Sequence, residues 1–136
     1  MMAPEVYEQA RADAPLHVQV WRPRIQSSPP RIDIVRVDGR VVRIFRNRGG
    51  VLRWGQKVTF TVPVVSLNGG SRTPMPGGDI RHAWERIGPS RFLEAFLDAW
   101  DGEIQLVRSQ VAPIRRPSLH PICGPAVKGF VCPGNL

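Results

Sequence analysis

Fourteen prolines and 13 glycines in a chain of 136 residues leave little room for long helices. Proline removes a backbone donor and clashes inside a helix, and glycine there costs conformational entropy. Between these breaks the chain is rich in β-branched residues that alternate with polar ones, the pattern of half-buried strands. The length is that of one domain with a tail, and 42% hydrophobic residues suffice for a core.

The punctuation divides the chain into elements. Pro4–Ala14 reads as a short helix, with Val6, Ala10 and Ala14 on one face and Pro15 as its stop. Leu16, Val18 and Val20 alternate as a first strand that reaches toward Ile25, and Ser27-Ser28-Pro29-Pro30 is a loop. From Ile32 to Arg46 the apolar face changes parity, which a regular strand cannot do. Either Asp38-Gly39 is a tight hairpin turn, or one long strand bends there on a glycine bulge; the bend is the favoured reading. Asn47-Arg48-Gly49-Gly50 is a turn. Val58, Phe60, Val62 and Val64 define the cleanest strand, Gln56–Val65, in which Pro63 marks an edge or a bulge. Asn68–Gly78 is a loop. Asp79 is placed to cap a helix carrying Ile80, Ala83, Trp84 and Ile87, with Gly88 as its stop. Glu94, Ala95 and Leu97 favour helix, but Arg91–Ala99 and Glu103–Val111 flank Asp101-Gly102 as a hairpin would and are read as strands. The prolines at 113, 117, 121, 125 and 133 predict an irregular tail.

The expected organisation is a helix over 1–15, a β-barrel domain over 16–112 and a proline-rich tail over 113–136. The fold class is all-β with one or two short helices. Its β-β-β-α-β-β order is that of the five-stranded oligonucleotide/oligosaccharide-binding (OB) barrel.

Charge is unevenly placed. Trp21 to Lys57 holds nine arginines, one lysine and two acids, which accounts for the whole formal net charge of +8. Arg outnumbers Lys 17 to 2 along the chain; codon bias in a GC-rich genome explains that preference, but not its concentration in one quarter of the sequence. An oriented cationic surface selects anionic partners. On a barrel, Arg36, Arg40, Arg43, Arg46, Arg48 and Arg53, with Trp54, are the candidate contact residues.

The string Val41-Val42-Arg43-Ile44-Phe45-Arg46, then Leu52 and Gly55-Gln56-Lys57-Val58-Thr59-Phe60, then Arg91-Phe92-Leu93-Glu94-Ala95-Phe96-Leu97, resembles the netrin-like domain group. That group includes the tissue inhibitors of metalloproteinases. The same strings resemble small exported proteins of GC-rich bacteria. The resemblance covers roughly Leu16–Val111 and implies a barrel and an exported location. The chain lacks the N-terminal cysteines through which those inhibitors act, so it implies no inhibitory residue here.

Other chemistry is sparse. His17 is expected on the solvent side of its strand, opposite Leu16 and Val18, and His82 on the solvent side of its helix. Cys123 and Cys132 are read first as a disulfide, worth about 2–3 kcal/mol for so small a loop. Free thiols, or zinc with His120, are the alternatives; His-x-x-Cys-x8-Cys is not a strong zinc spacing and lacks a fourth ligand. Residues 69–78 lack the Lys-Ser/Thr of a phosphate loop. Asp98, Asp101 and Glu103 read as a solvated turn, with too few oxygens for calcium. There is no nucleophile-elbow motif and no carboxylate dyad, so neither an enzyme nor a cofactor is expected. No apolar run approaches the roughly 20 residues of a membrane span. The first residues lack the pattern of a signal peptide; export would require a leader already removed, and otherwise the location is cytoplasmic. The expected function is a non-enzymatic binding module with an Arg-rich face for an acidic protein or other anion. The alternative is a single-stranded nucleic-acid-binding OB protein.

Overall fold

A computed structural model describes residues 4–27, 33–66 and 81–122. Among these residues the elements in chain order are α1 (Pro4–Asp13), β1 (Leu16–Trp21), β2 (Ile34–Asn47), β3 (Lys57–Val65), β4 (His82–Ala83), α2 (Trp84–Ile87), β5 (Phe92–Trp100) and β6 (Glu103–Ile114), with a 3₁₀ turn at Arg48–Gly50. The strands form one sheet in the order β4-β3-β2-β1-β5-β6. All pairings are antiparallel except β3 with β4. The sheet curls until β3 and β6, which are not neighbours in that order, touch. The result is a mostly β, barrel-like half-barrel. The expected β-β-β-α-β-β order is present, with the two-residue β4 as a sixth strand.

Alternation builds the inner face. Val58, Phe60, Val62 and Val64 of β3 meet Val35, Val37 and Val41 of β2 and Leu16, Val18 and Val20 of β1 in one core, joined by Leu93, Ala95 and Leu97 of β5. Leu52, Trp84 and Ile87 close it. Burying side chains of this size contributes roughly 1.5–3 kcal/mol each before chain entropy is counted.

β2 is one strand shared between two partners. Ile34–Arg40 pairs with Pro63–Lys57 of β3, and Arg40–Asn47 pairs with Trp21–Leu16 of β1. The hairpin alternative is thereby excluded, but the bulge is not at Gly39. Asp38, Gly39 and Arg40 pair regularly with Thr59, Val58 and Lys57. The register slips further on, between Arg43 and Val41 and between Arg46 and Ile44, so Val42 and Phe45 are the extra residues. Gly39 serves a different need: a Cβ there would sit 2.9 Å from the Trp21 carbonyl oxygen and 3.4 Å from Val20 Cβ. Only glycine lets the end of β1 cross so close.

The helix expected from Asp79 is shorter than its periodicity suggested. His82 and Ala83 are extended and pair in parallel with Val64 and Val65, so their backbone groups are satisfied by the sheet. Helix begins only at Trp84; Asp79 and Ile80 lie outside the described residues. Gly88 keeps right-handed helical angles, φ −54° and ψ −52°. A Cβ at Gly88 would lie 2.6 Å from the Trp84 indole, so the position needs glycine for space rather than for a left-handed stop.

β5 and β6 form the expected hairpin, turning on Asp101 (φ 50°) and Gly102 (φ 80°). β6 runs beyond Val111 to Ile114. Its pairing jumps from Leu97↔Leu106 to Ala95↔Val111, so residues 107–110 stand out of the ladder. Arg108 (φ 50°) and Ser109 (φ 59°) adopt left-handed angles within that excursion, at a cost of about 1–2 kcal/mol each. It is held by His82 Nε2, which donates to the Ser109 carbonyl at 2.8 Å, and by Gln110, which accepts from Arg11 Nη1 at 2.7 Å.

Candidate functional site: the open cationic half of the sheet

The outward face of the sheet divides in two. Over β1, β5 and β6 it is covered by α1 and by the chain after β6. Over β2 and β3 no helix or strand among the described residues covers it. The open half holds most of the residues singled out from the sequence.

Arg36, Asp38 and Arg40 point outward from β2 because Val35, Val37 and Val41 point in. Strict alternation would send Arg43 inward. The bulges at Val42 and Phe45 reset the parity instead. Arg40, Arg43 and Arg46, spaced three apart, therefore lie opposite Trp21, Gln19 and His17, spaced two apart and all on the outward face of β1. The bulges thus gather the arginines of β2 on one face.

These arginines do different jobs. Arg36 is exposed and its Nε contacts Asp38 Oδ1 at 3.3 Å. Arg40 is exposed and donates from Nη1 to the Gly55 carbonyl at 3.1 Å, pinning the β2–β3 turn. Arg43, Arg48 and Arg53 are exposed. Among the described residues, their side chains make no hydrogen bond or ion pair. Trp54, on the same turn, is 77% exposed. Arg46 differs. It is half-buried, and its Nη1 donates to the carbonyls of Ala14 (2.7 Å) and Arg11 (3.0 Å). A cation at a helix C-terminus satisfies carbonyls that have no intrahelical partner. Arg46 therefore ties α1 to the sheet.

The turn itself is built locally. Asn47 clasps Leu52 through its side chain, donating to the carbonyl at 2.7 Å and accepting from the amide at 3.1 Å. Gln56 Oε1 accepts the Arg53 amide at 2.8 Å. The segment folds back along β2, so Gly55 and Gln56 bond to the backbone of Val41.

Beside this face lies a cleft of about 370 Å³ between the chain after β1 and the paired strands β2 and β3. Arg22, Pro23, Arg24, Ile25, Gln26, Arg36, Asp38 and Lys57 line it. Arg22 is fully buried and donates from Nη1 to the carbonyls of Ile87 (2.6 Å) and Ser90 (2.8 Å). Burial, and then Arg91, lower its pKa from the ordinary guanidinium value, while Asp38 raises it. Asp38 is held below its usual range chiefly by the Thr59 hydroxyl, which donates to Oδ1 at 2.7 Å, and further by Arg36 and Lys57. Arg22, Arg24, Gln26 and Lys57 were not among the residues picked from the sequence. The packing of a loop across a strand pair brings them together, and spacing along the chain does not reveal that.

The covered half corrects the reading of the histidines. His17 does face outward from β1 but is buried, stacked on Phe96 with ring centroids 4.1 Å apart. Its Nε2 lies 3.0 Å from Glu94 Oε2. A carboxylate only accepts, so that ring nitrogen is the donor. Glu94 Oε1 accepts from Gln19 Nε2 at 2.7 Å and from the Ile122 amide at 2.9 Å. Gln19 in turn receives the Ser118 amide at 2.8 Å and donates to the Ser118 hydroxyl at 2.8 Å. Burial pushes the Glu94 carboxyl up, but hydrogen bonds from His17, Gln19 and Ile122 outweigh it and leave the group below its ordinary value. His82 is buried as well, on β4 rather than on a helix. His120 is exposed, and Cys123 and Cys132 lie outside the described residues. Among the described residues no three His, Cys, Asp or Glu side chains gather as metal ligands. No helix among them is long and apolar enough to cross a membrane.

Compared with known proteins, the chain matches no family model and no curated protein. The geometry of the open half therefore carries the functional reading.

Proposed function

We propose that the protein is a non-enzymatic binding module that engages an acidic protein through the outward face of β2 and the β2–β3 turn. The observation that carries this is the gathering of Arg36, Arg40 and Arg43 on one open face, the first two by strand alternation and Arg43 by the bulge at Val42. Arg48, Arg53 and Trp54 extend that surface onto the turn, and Asp38 is the only acid in β2. Guanidinium groups such as those of Arg43, Arg48 and Arg53, which have no hydrogen-bond partner among the described residues, gain by meeting carboxylates across an interface, and exposed Trp and Arg are the residue types that anchor such contacts. The exposed Trp54 beside these arginines also suits stacked bases, so single-stranded nucleic acid is the competing ligand.

The test is a pull-down with the wild type and with Arg43, Arg48 and Arg53 changed together to Ser. The reading expects a protein partner to be lost while the unfolding midpoint stays put. An unchanged partner list would overturn it. Binding of a single-stranded oligonucleotide that weakens by orders of magnitude as salt rises would replace the protein partner with nucleic acid.

A further inference from the structure

The cleft between the chain after β1 and the strands β2 and β3 has a composition that the flat Arg face lacks. Three cations with reach, Arg24, Arg36 and Lys57, line it together with the buried Arg22, against the single carboxylate of Asp38. The lining therefore carries a formal surplus of three positive charges. Arg22 is fixed by the carbonyls at the end of α2, and its Nε is buried without a hydrogen-bond partner. Asp38 is engaged by Thr59 and Arg36 through one oxygen, Oδ1. Pro23 and Ile25 add an apolar wall, and Gln26 adds an amide. At about 370 Å³ the cleft is at the small end of ligand sites.

We propose that this cleft is a phosphomonoester site, in which Arg24, Arg36 and Lys57 hold the phosphate and Pro23 and Ile25 meet the group that carries it. The charge count selects the ligand. A carboxylate would neutralise one of the three surplus charges, whereas a phosphomonoester carries close to two at neutral pH and offers three acceptor oxygens. Guanidinium forks match that geometry in bidentate pairs, and the lysine adds a point charge. The site rests on the open half being a contact surface, and it names the chemistry of one pocket within it.

The experiment is an amide-shift titration of the whole chain at low, constant ionic strength. The probes are inorganic phosphate, glycerol phosphate and a Glu-rich peptide bearing one phosphoserine, with acetate and the same peptide without its phosphate as controls. All three phosphates are expected to shift residues 22–26, 36–38 and 57, and to saturate well before acetate. Tighter binding of the phosphopeptide than of both glycerol phosphate and the same peptide without its phosphate assigns the phosphate to a partner protein; glycerol phosphate binding as tightly as the phosphopeptide assigns it to a small molecule. Changing Arg24 and Lys57 to Ser should weaken phosphate about tenfold for each cation removed. Asp38→Asn should tighten it, an effect that a merely structural carboxylate would not produce. Phosphate no tighter than acetate, or indifferent to Arg24 and Lys57, overturns the site. If the Arg43/Arg48/Arg53 surface still captures its partner in that case, the contact face stands and only the cleft falls.

Discussion

The two outward halves of the sheet start from similar sequence and end differently. On β1 and β5, His17, Gln19 and Glu94 point away from the core, as Arg36, Arg40 and Arg43 do on β2. The first set is sealed and the second is open. The difference lies in the cover. α1 and the chain after β6 lie over β1, β5 and β6, and the polar groups beneath them bond to one another and to the backbone of Ser118 and Ile122. Nothing among the described residues lies over Arg43, and the arginines there stay exposed to water. Outward orientation in a strand does not amount to exposure. It becomes exposure only where no other element packs.

The largest effect expected from this contrast is at Glu94. Glu94→Ala removes the acceptor shared by His17, Gln19 and the Ile122 amide inside a dry layer. Stability should fall by about 3 kcal/mol, read from the urea midpoint. A loss below about 1 kcal/mol would mean that the layer is wet and the halves are not distinct. Gly39 lies at the seam between the halves. Gly39→Ala drives a methyl to 2.9 Å from the Trp21 carbonyl and should cost about 2 kcal/mol, with shifts at the β1 end of the sheet. An unchanged midpoint would show that the crossing has slack.

Acid provides a graded version of the first test. The Glu94 carboxyl is held below its ordinary value of 4.5. The unfolded chain therefore takes up a proton at higher pH than the folded one. The stability this confers is complete above that ordinary value and drains as pH falls below it, through the folded value. Glu94→Gln should flatten that part of a stability–pH curve. A Gln variant with the same acid slope would assign the slope to other carboxylates. The smallest effects separate the arginines from one another. Arg46→Ser should cost about 1 kcal/mol through the lost α1 anchor, while Arg43→Ser should stay within about 0.5 kcal/mol. Equal losses would erase the distinction between an anchoring arginine and an open one.

Much of the fold was legible in the sequence. Val58, Phe60, Val62 and Val64 mark a strand whose partners can bury only one face, and Asp101-Gly102 marks the hairpin. Parity along β2 revealed an irregularity and misplaced it, because Asp38-Gly39 resembles a turn while Val42 and Phe45 look like ordinary strand residues. The arginines at 40, 43 and 46 held the missing signal, since a spacing of three stays on one face only if bulges intervene. Helical spacing over Ile80–Ile87 gave way to pairing of His82 and Ala83 with β3, a tertiary contact that local pattern does not encode. His17 was misjudged because Phe96, Phe45 and Glu94 close around it, and its neighbour Gln19 is covered by a proline-rich segment about a hundred positions away. That segment has no strand pattern; it docks through side-chain bonds to its backbone. In the site, the face of β2 was legible as a charge density. The cleft was not, because Arg24 and Lys57 meet only when the loop after β1 packs across β2 and β3.

The central claim is that the open half is the contact surface and the sealed half is not. An amide-shift titration with a polyglutamate peptide at low salt tests it most directly. The account predicts shifts at Arg36–Arg43 and along 48–57, fading as salt rises, with His17, Gln19 and Glu94 unmoved. Shifts centred on β1 and β5, or none at any salt, would contradict it.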